Sequence, residues 1–375
     1  MKRSIGFMSV VAIGVGGLFI SPAIAGEPAP VTLQGKRAEL VFACDSDDTP
    51  LQALFADGTV AADLKQLSAG VCLVASDLTA ARAAVVQRLN QEGIPTTAWL
   101  VLPKSQGYYL NASNGPAALD RYGEFEAWTK QYHLKWSAVG LDIEPTLDDP
   151  SAPAAKAHSS RVATFVRRYF DFDRVKRAHA DYTELLRRIH SDGYVSQTYQ
   201  LMFIATERAV HTTLLERELG IVDVRGDDEI LMLYSSFTPT LGSALIWKFG
   251  PVSQTVAIGS TQVLDHPDPS DIPLDWTRFS SDLVAASHYS HLVGVYCLEG
   301  CVQRGYLSKL KTFDWNQTVT IPPAQIKLAN QMHHGVTGLL WIASRLPYIL
   351  AALILALGLF VRWLIRRRRR RSATA

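Results

Sequence analysis

The sequence predicts an α/β fold, namely a (β/α)8 barrel of the TIM-barrel class that spans residues 38–315. Three observations support this prediction. From residue 38 onward, eight short apolar runs alternate with helical stretches, and the whole alternating pattern extends over about 265 residues, close to the roughly 250 of a typical barrel. Strands that alternate with helices pair in parallel. Eight such units favour a closed barrel over an open doubly wound sheet.

The eight predicted strands are apolar runs bounded by turn or helix signals. They are residues 38–44, 70–75, 96–102, 138–144, 195–202, 230–234, 255–259 and 292–297.

Helix signals lie between the strands. Thr49, Pro50 and Gln52 form a capping-box pattern after the first strand, and Asp77 is a candidate cap for the next helix. Residues 152–192 are expected to be helical with a break near 171–173. Further helices are predicted over residues 80–91, 116–132 and 273–288.

The fourth predicted strand, residues 138–144, alternates between two faces. One face has the large apolar residues, which suit packing against helices. The other has small residues followed by Asp142 and Glu144, which suits the inside of a barrel, and Pro145 ends the strand. Two carboxylates that share a face cannot both be buried as anions without partners. We therefore expect them in a solvated pocket, where such a pair can perform acid/base chemistry.

Both ends of the chain differ in composition from the middle. Residues 1–25 combine Lys2 and Arg3, an apolar run and an A-x-A site at 23–25, which predicts a secretory signal peptide followed by a linker over 26–37. At the other end, we expect a stalk over 316–345, a transmembrane helix over 346–365 and a basic cytoplasmic tail over 366–375. The six arginines at 366–371 could instead be a nucleic-acid tail, but their position directly after an apolar span favours a membrane anchor. Because basic residues mark the cytoplasmic side, the barrel is predicted to lie on the extracytoplasmic side of a bacterial cell membrane, with a single pass.

The charge of the predicted exported part argues against nucleic acid as a partner. Nine of the 37 basic residues lie in the signal and anchor, which contain no acid, so the rest has 28 basic and 35 acidic residues, a net of −7.

Four cysteines are present: Cys44, Cys72, Cys297 and Cys301. In an oxidising compartment they can pair in three ways. The first and last strands of a closed barrel are neighbours, so Cys44 could reach Cys297 or Cys301. No metal-ligand spacing with histidine occurs, and we expect neither a metal nor a cofactor.

In a (β/α)8 barrel, ligand-binding residues lie at the carboxyl ends of the strands. We interpret Glu144 as a proton donor and Asp142 as the neighbour whose charge raises the Glu144 pKa. The alternative is that both are rim acids bound to arginines. The further candidates for contact with substrate are Asp45, Trp99, Gln197, Tyr199, Tyr234 and Glu299. Trp99 could stack on a sugar ring, as could Tyr108, Tyr109, Trp247 and Trp276, although each could equally be packing.

Two short motifs carry a resemblance to a known family. Gly140-Leu141-Asp142-Ile143-Glu144 resembles the end of the D-x-x-D-x-D-x-E signature of chitinase-like, family 18 glycoside hydrolases, and Met232-Leu233-Tyr234-Ser235 is similar to that family's M-x-Y-D. The resemblance implies Glu144 as general acid, Asp142 as the residue that orients a substrate acetamido group, and Tyr234 as a hydrogen-bond donor to that group. Hydrolysis would then be substrate-assisted. Ser137, Gly140 and Ser235 stand where the family has aspartates.

The predicted function is that of a membrane-anchored glycoside hydrolase-like enzyme acting on a cell-wall or extracellular polysaccharide. One alternative is a non-catalytic barrel that binds a glycan. Another is a metal-assisted lyase or phosphodiesterase with Asp45, Asp142, Glu144 and Glu299 around a divalent ion. A conventional two-carboxylate glycosidase would need an acid after residues 255–259. None follows until Asp265, although Glu299 could serve.

Overall fold

The computed structural model describes residues 28–145, 158–262 and 272–372. The predicted signal peptide and Asp265 lie outside these ranges. The strands are β1 (Val31–Gln34), β2 (Glu39–Cys44), β3 (Gly70–Val74), β4 (Thr96–Leu100), β5 (Ala138–Asp142), β6 (Val195–Leu201), β7 (Asp228–Met232), β8 (Thr255–Gly259), β9 (Leu292–Tyr296) and β10 (Thr318–Ile321).

Helices follow the barrel strands along the chain. They are α1 (Asp48–Leu54), α2 (Thr59–Leu67), α3 (Ala80–Gln91), α4 (Gly115–Tyr132), α5 (His158–Tyr169), α6 (Phe172–Ser191), α7 (Phe203–Val210), α8 (Leu214–Leu219), α9 (Ala244–Phe249), α10 (Trp276–Tyr289), α11 (Leu298–Gln303), α12 (Tyr306–Leu310) and α13 (Pro323–Ser372). Short 3₁₀ turns cover Lys104–Gln106, Ser235–Phe237 and Gly250–Val252.

The strands β2 to β9 form a closed barrel in chain order, with every neighbouring pair parallel. The first and last strands close it, because Glu39 of β2 pairs with Leu292 of β9 and Ala43 with Tyr296. This arrangement confirms the predicted eight-stranded α/β barrel.

Alternation along β5 produces the two faces that the sequence predicts. Val139, Leu141 and Ile143 are fully buried in the core between the barrel and its helices. On the inner face, Gly140 leaves room for the Tyr199 ring, since a Cβ at residue 140 would lie 2.8 Å from Tyr199 Cε2. The small residue therefore lets an aromatic ring from β6 fill the barrel beneath Asp142.

Several boundaries differ from the predicted ones. Residues 26–37, predicted to be a linker, include β1, which pairs with β10 because alternating apolar residues bury Leu33. The N-cap of α3 is Thr79 rather than Asp77, since the Thr79 side chain accepts a hydrogen bond from the Arg82 N–H. The predicted break near 171–173 is present, with Asp171 as the N-cap of α6.

The long C-terminal helix α13 changes its surroundings along its length. Its first part packs on the barrel layer through Ile326, Ala329 and Leu340, beside α7 and α9. Its later part is exposed and apolar, and the helix over Pro323–Arg366 is long and apolar enough to cross a membrane, judged by length and composition.

The four cysteines are buried and free, so none of the pairings that the sequence left open, including one from Cys44 to Cys297 or Cys301, is formed. The thiols have polar partners instead. The Cys44 Sγ donates to Glu299 Oε1 at 3.2 Å, and Cys301 Sγ lies 3.6 Å from Thr261 Oγ1.

Candidate functional site

The candidate site lies at the carboxyl end of the barrel, where Asp142 is the last residue of β5 and Glu144 follows two residues later. The pairing register places Trp99 of β4 opposite Gly140 and Tyr199 of β6 opposite Asp142. Backbone bonds hold the segment after β5, since the Ile143 N–H donates to Tyr199 O at 3.1 Å and the Glu144 N–H to Leu110 O at 3.1 Å.

Asp142 is almost completely buried, at 2% exposure. Its Oδ2 accepts a hydrogen bond from Trp99 Nε1 at 3.1 Å, whereas its buried Oδ1 has no hydrogen-bond partner among the described residues. Burial raises the pKa of Asp142 well above its usual range, the charge of Glu144 raises it further, and the Trp99 bond opposes both effects.

Burial also raises the pKa of Glu144, to about 7, and the charge of Asp45 adds to this effect. The salt bridges within the described part of the chain include none to Asp142 or Glu144. The alternative of rim acids bound to arginines therefore finds no support there. A carboxyl group with this pKa holds its proton through a large part of the neutral range.

Asp45 follows β2 and faces two tyrosines. Its Oδ1 accepts a hydrogen bond from Tyr108 Oη at 2.5 Å and its Oδ2 one from Tyr296 Oη at 3.5 Å. Burial raises its pKa to about 6, against the effect of the Tyr108 bond, and the Glu299 charge raises it further. Three acids with raised pKa values, Asp45, Asp142 and Glu144, thus share one end of the barrel.

Aromatic rings connect these acids. Tyr234, which follows β7, stacks on Tyr296 with ring centroids 5.8 Å apart, and Trp99 meets Tyr296 edge-on at 6.3 Å. Tyr296 is absent from the candidates predicted from sequence. The strand alternation that turns Asp142 inward applies equally to β9, so its position as the last residue of that strand was the available signal.

Two predicted substrate-binding residues lie deeper in the barrel. Gln197 pairs in register with Gly140 and Asp228, one layer below Asp142, and its Nε2 lies 3.4 Å from Asp228 Oδ2. Tyr199 Oη donates to Cys72 Sγ at 3.2 Å and lies 3.4 Å from Gln197 Oε1. Both side chains therefore form part of the polar filling under the candidate site.

The Glu299 carboxylate accepts hydrogen bonds from other residues of the protein. It lies in the first turn of α11, and its Oε1 accepts hydrogen bonds from the Asp45 N–H at 2.9 Å, Ser46 Oγ at 2.7 Å and the Cys44 thiol. Its buried Oε2 has no hydrogen-bond partner among the described residues. Glu299 thus links the end of β9 to the end of β2.

In the described ranges, no group of three or more His, Cys, Asp or Glu side chains is placed to hold a metal ion. Two cavities, of about 370 and 290 Å³, lie away from the candidate site. The first is lined by residues that include Trp276 and Phe313, and the second by residues that include Asn90 and Trp136.

Comparisons with known proteins give similarity in fold only. No protein-family model and no curated protein matches the chain. Similar solved structures include the PgaB (BpsB) glycoside hydrolase domain from Bordetella bronchiseptica, with 13% identity, coverage of 74% of this chain and 98% of that one, and a TM-score of 0.45. Gas2p of Saccharomyces cerevisiae with laminaritetraose and laminaripentaose has 13% identity, coverage of 82% and 67%, and a TM-score of 0.36. A D-psicose 3-epimerase has 10% identity, coverage of 82% and 100%, and a TM-score of 0.36. Glycoside hydrolase barrels are thus among the structural neighbours, beside barrels of other chemistry.

Proposed function

We propose that this protein is a membrane-anchored, exported glycoside hydrolase that acts on a cell-wall or extracellular polysaccharide, with Glu144 as general acid. One observation carries the proposal: Glu144 lies two residues after the buried Asp142 at the carboxyl end of the barrel, where burial and the charge of Asp45 raise its pKa to about 7. Protonation of a leaving-group oxygen near neutral pH requires a carboxyl group with such a pKa.

In the proposed reaction, the Glu144 carboxyl donates its proton to the glycosidic oxygen while the bond to the anomeric carbon breaks. The motif resemblance suggests that a substrate acetamido oxygen attacks that carbon and that Asp142 orients the acetamido group. The ionised Glu144 then takes a proton from the water that completes hydrolysis. Tyr234 and Tyr296 are partly exposed and offer aromatic surface on which a sugar ring can pack, with the buried Trp99 behind Tyr296.

A second candidate is a barrel that binds a glycan without cleaving it. Ser235, which stands where the resembling family has an aspartate, donates to the buried Asp282 together with Ser243. Its hydroxyl is therefore engaged away from Glu144, and this feature favours a site that has lost part of the hydrolytic machinery.

The test compares the full-length wild type with Glu144→Gln on chitin, peptidoglycan, and neutral and acidic polysaccharides. Released reducing ends and binding are both measured. Because the amide cannot donate the carboxyl proton, hydrolysis should fall about 100-fold or more, while binding persists. Glu39→Gln, an exposed change at the opposite end of the barrel, is the matched control. Binding without cleavage by all three proteins would favour the binding barrel, and unchanged cleavage by Glu144→Gln would refute the role of Glu144.

A further inference from the structure

An apolar patch lies on the outside of the barrel where α5 meets α6. It consists of Phe165, Val166, Phe170 and Phe172, which are 45%, 49%, 60% and 55% exposed, and we call it the junction patch. The Tyr169 ring packs against the patch, and its centroid lies 6.0 Å from that of Phe165 and 4.9 Å from that of Phe170. A cluster of exposed aromatic side chains indicates a surface that contacts a partner or a membrane.

The junction patch is tied to α13 at a defined position. Pro347 lies inside this helix and has no N–H, so it cannot bond to the carbonyl oxygen of Ala343 four residues earlier. The hydroxyl of Tyr169 donates to that carbonyl oxygen instead. Because Tyr169 is itself buried, the contact fixes the patch beside residue 343 of α13.

The helix α13 changes from barrel-facing to fully exposed just past this contact. Val336 and Leu340 are buried, whereas Tyr348 and Ile354 are 77% and 71% exposed. Arg345 and Arg362 bracket 16 uncharged residues, 346–361, which span about 24 Å of helix. Snorkelling of the two arginines extends this length towards the roughly 30 Å of a hydrocarbon core. A bilayer around this helix would therefore begin near Arg345, next to Ala343.

The surroundings of this boundary have the composition of a membrane interface. Trp341 is 49% exposed, and the Arg345 guanidinium lies 4.6 Å from its ring centroid. Arg167 is exposed next to Val166. Aromatic and basic side chains of this kind concentrate where lipid headgroups meet the acyl region.

We propose that the junction patch inserts into the lipid interface beside the point where α13 enters the bilayer. The barrel would then be held by two membrane contacts rather than by one helix, which fixes the direction in which its carboxyl end faces. Lipid fits the patch better than a protein partner does because Tyr169, which packs against the patch, contacts α13 at Ala343, where the exposed apolar part of that helix begins. The proposal goes beyond the hydrolytic activity, but it rests on the membrane anchoring that is part of the proposed function.

The test uses the full-length chain in vesicles of phosphatidylethanolamine and phosphatidylglycerol. Single cysteines are introduced by Phe165→Cys and Phe170→Cys and labelled with a nitroxide, while the four native cysteines are buried. Val195→Cys is the matched control, because Val195 is 48% exposed and follows the far end of α6, whose 20 residues are about 30 Å long. Ile354→Cys reports whether α13 is inserted.

The label at 165, 170 and 354 should collide more with oxygen than with a water-soluble nickel chelate, and the label at 195 should show the reverse. Labels at 165 and 170 that behave like the one at 195 would place the patch in water and overturn the proposal. Low collision with both reagents, with dipolar broadening between labels, would mean that a second copy covers the patch. A water-exposed label at 354 would remove the membrane boundary on which the proposal rests.

Discussion

At the scale of single residues, Asp142 and Glu144 have, within residues 28–145, 158–262 and 272–372, no basic partner that would keep their carboxyl groups ionised. Among the described residues, Trp99 Nε1 is the side-chain donor that reaches Asp142, and it is neutral. Burial removes hydration from both carboxyl groups, and Asp45 adds a further negative charge nearby. The three acids therefore act on one another, and a change in the charge of one should be visible in the titration of another.

The first prediction concerns Asp45→Asn. Because the Asp45 charge raises the pKa of Glu144, removing that charge should lower it. In a hydrolase that needs protonated Glu144, the rate falls as pH rises through this pKa, so the alkaline limb should lie near pH 7 in the wild type and move to lower pH in the variant. The pH dependence of kcat/KM, which reports the pKa of the free enzyme, measures this shift on whichever polysaccharide the wild type cleaves.

The asparagine in Asp45→Asn keeps an oxygen that can accept the Tyr108 hydrogen bond, so the fold should be retained. Asp47→Asn is the matched control, since Asp47 is exposed and pairs with Lys104. An alkaline limb that moves equally in both variants, or in neither, would contradict the coupling between Asp45 and Glu144.

At the scale of elements, the β2–β9 pairing that closes the barrel is supplemented by hydrogen bonds to the side chain of Glu299. The carboxylate reaches from the start of α11 to the last residue of β2 and the two residues after it, and its three hydrogen bonds join the two strands at their carboxyl ends. The same contact positions Asp45, whose N–H is one of the donors. Glu299 is thus a positioning residue for the candidate site.

The second prediction is that Glu299→Ala lowers the free energy of unfolding by about 3 kcal/mol, because it leaves buried donors without a charged acceptor. Glu299→Gln should cost less than about 1 kcal/mol, since its amide oxygen can accept the same bonds and its nitrogen would replace the unpartnered Oε2. Urea unfolding followed by tryptophan fluorescence measures both. Equal losses in the two variants would show that the carboxylate charge matters more than the acceptor geometry.

The strands could be predicted from sequence more fully than the contacts at the site. Alternation along 138–144 identified the inward face of β5, because that pattern is local and one side packs against helices. The partner of Asp142 is Trp99 on another strand, and Tyr296 lies on a third. Such contacts depend on the pairing register of separate strands, which no local pattern records. For the same reason, the sequence could not predict the hydrogen bonds that Glu299 accepts or the unpaired thiol of Cys44.

At the scale of the whole molecule, buried acids are spread well beyond the candidate site. Burial raises the pKa of Glu207 to about 8 and that of Glu218 to about 7. Asp282, which accepts hydrogen bonds from Ser235 and Ser243, has its pKa raised to about 6. With Asp45 and Glu144, these groups hold protons in the folded chain at pH values where the unfolded chain has released them.

The third prediction is that the protein is most stable at mildly acidic pH. In the unfolded chain these carboxyl groups titrate near pH 4, whereas in the folded chain they titrate between about 6 and 8. The folded state therefore binds more protons over this window, and stability decreases as pH rises through it. The melting temperature of the full-length chain in detergent, followed by circular dichroism, should be about 5–10 °C lower at pH 8 than at pH 5.

Glu207→Gln isolates one contribution to this pH dependence. Glu207 is buried at 2% exposure; its Oε1 accepts from the Leu215 N–H and its Oε2, at 3.3 Å, from the Glu216 N–H, so the glutamine can keep the acceptor for Leu215 and loses the longer bond together with the ability to ionise. The variant should melt at a higher temperature relative to the wild type at pH 8 than at pH 5, which flattens the profile. Glu39→Gln, exposed on the barrel surface, should leave the slope of the profile unchanged, because an exposed side chain keeps similar surroundings in the folded and unfolded chain. A wild-type melting temperature that rises from pH 5 to pH 8 would mean that the buried acids gain ionic partners in solution, and that the raised pKa proposed to make Glu144 an acid does not hold.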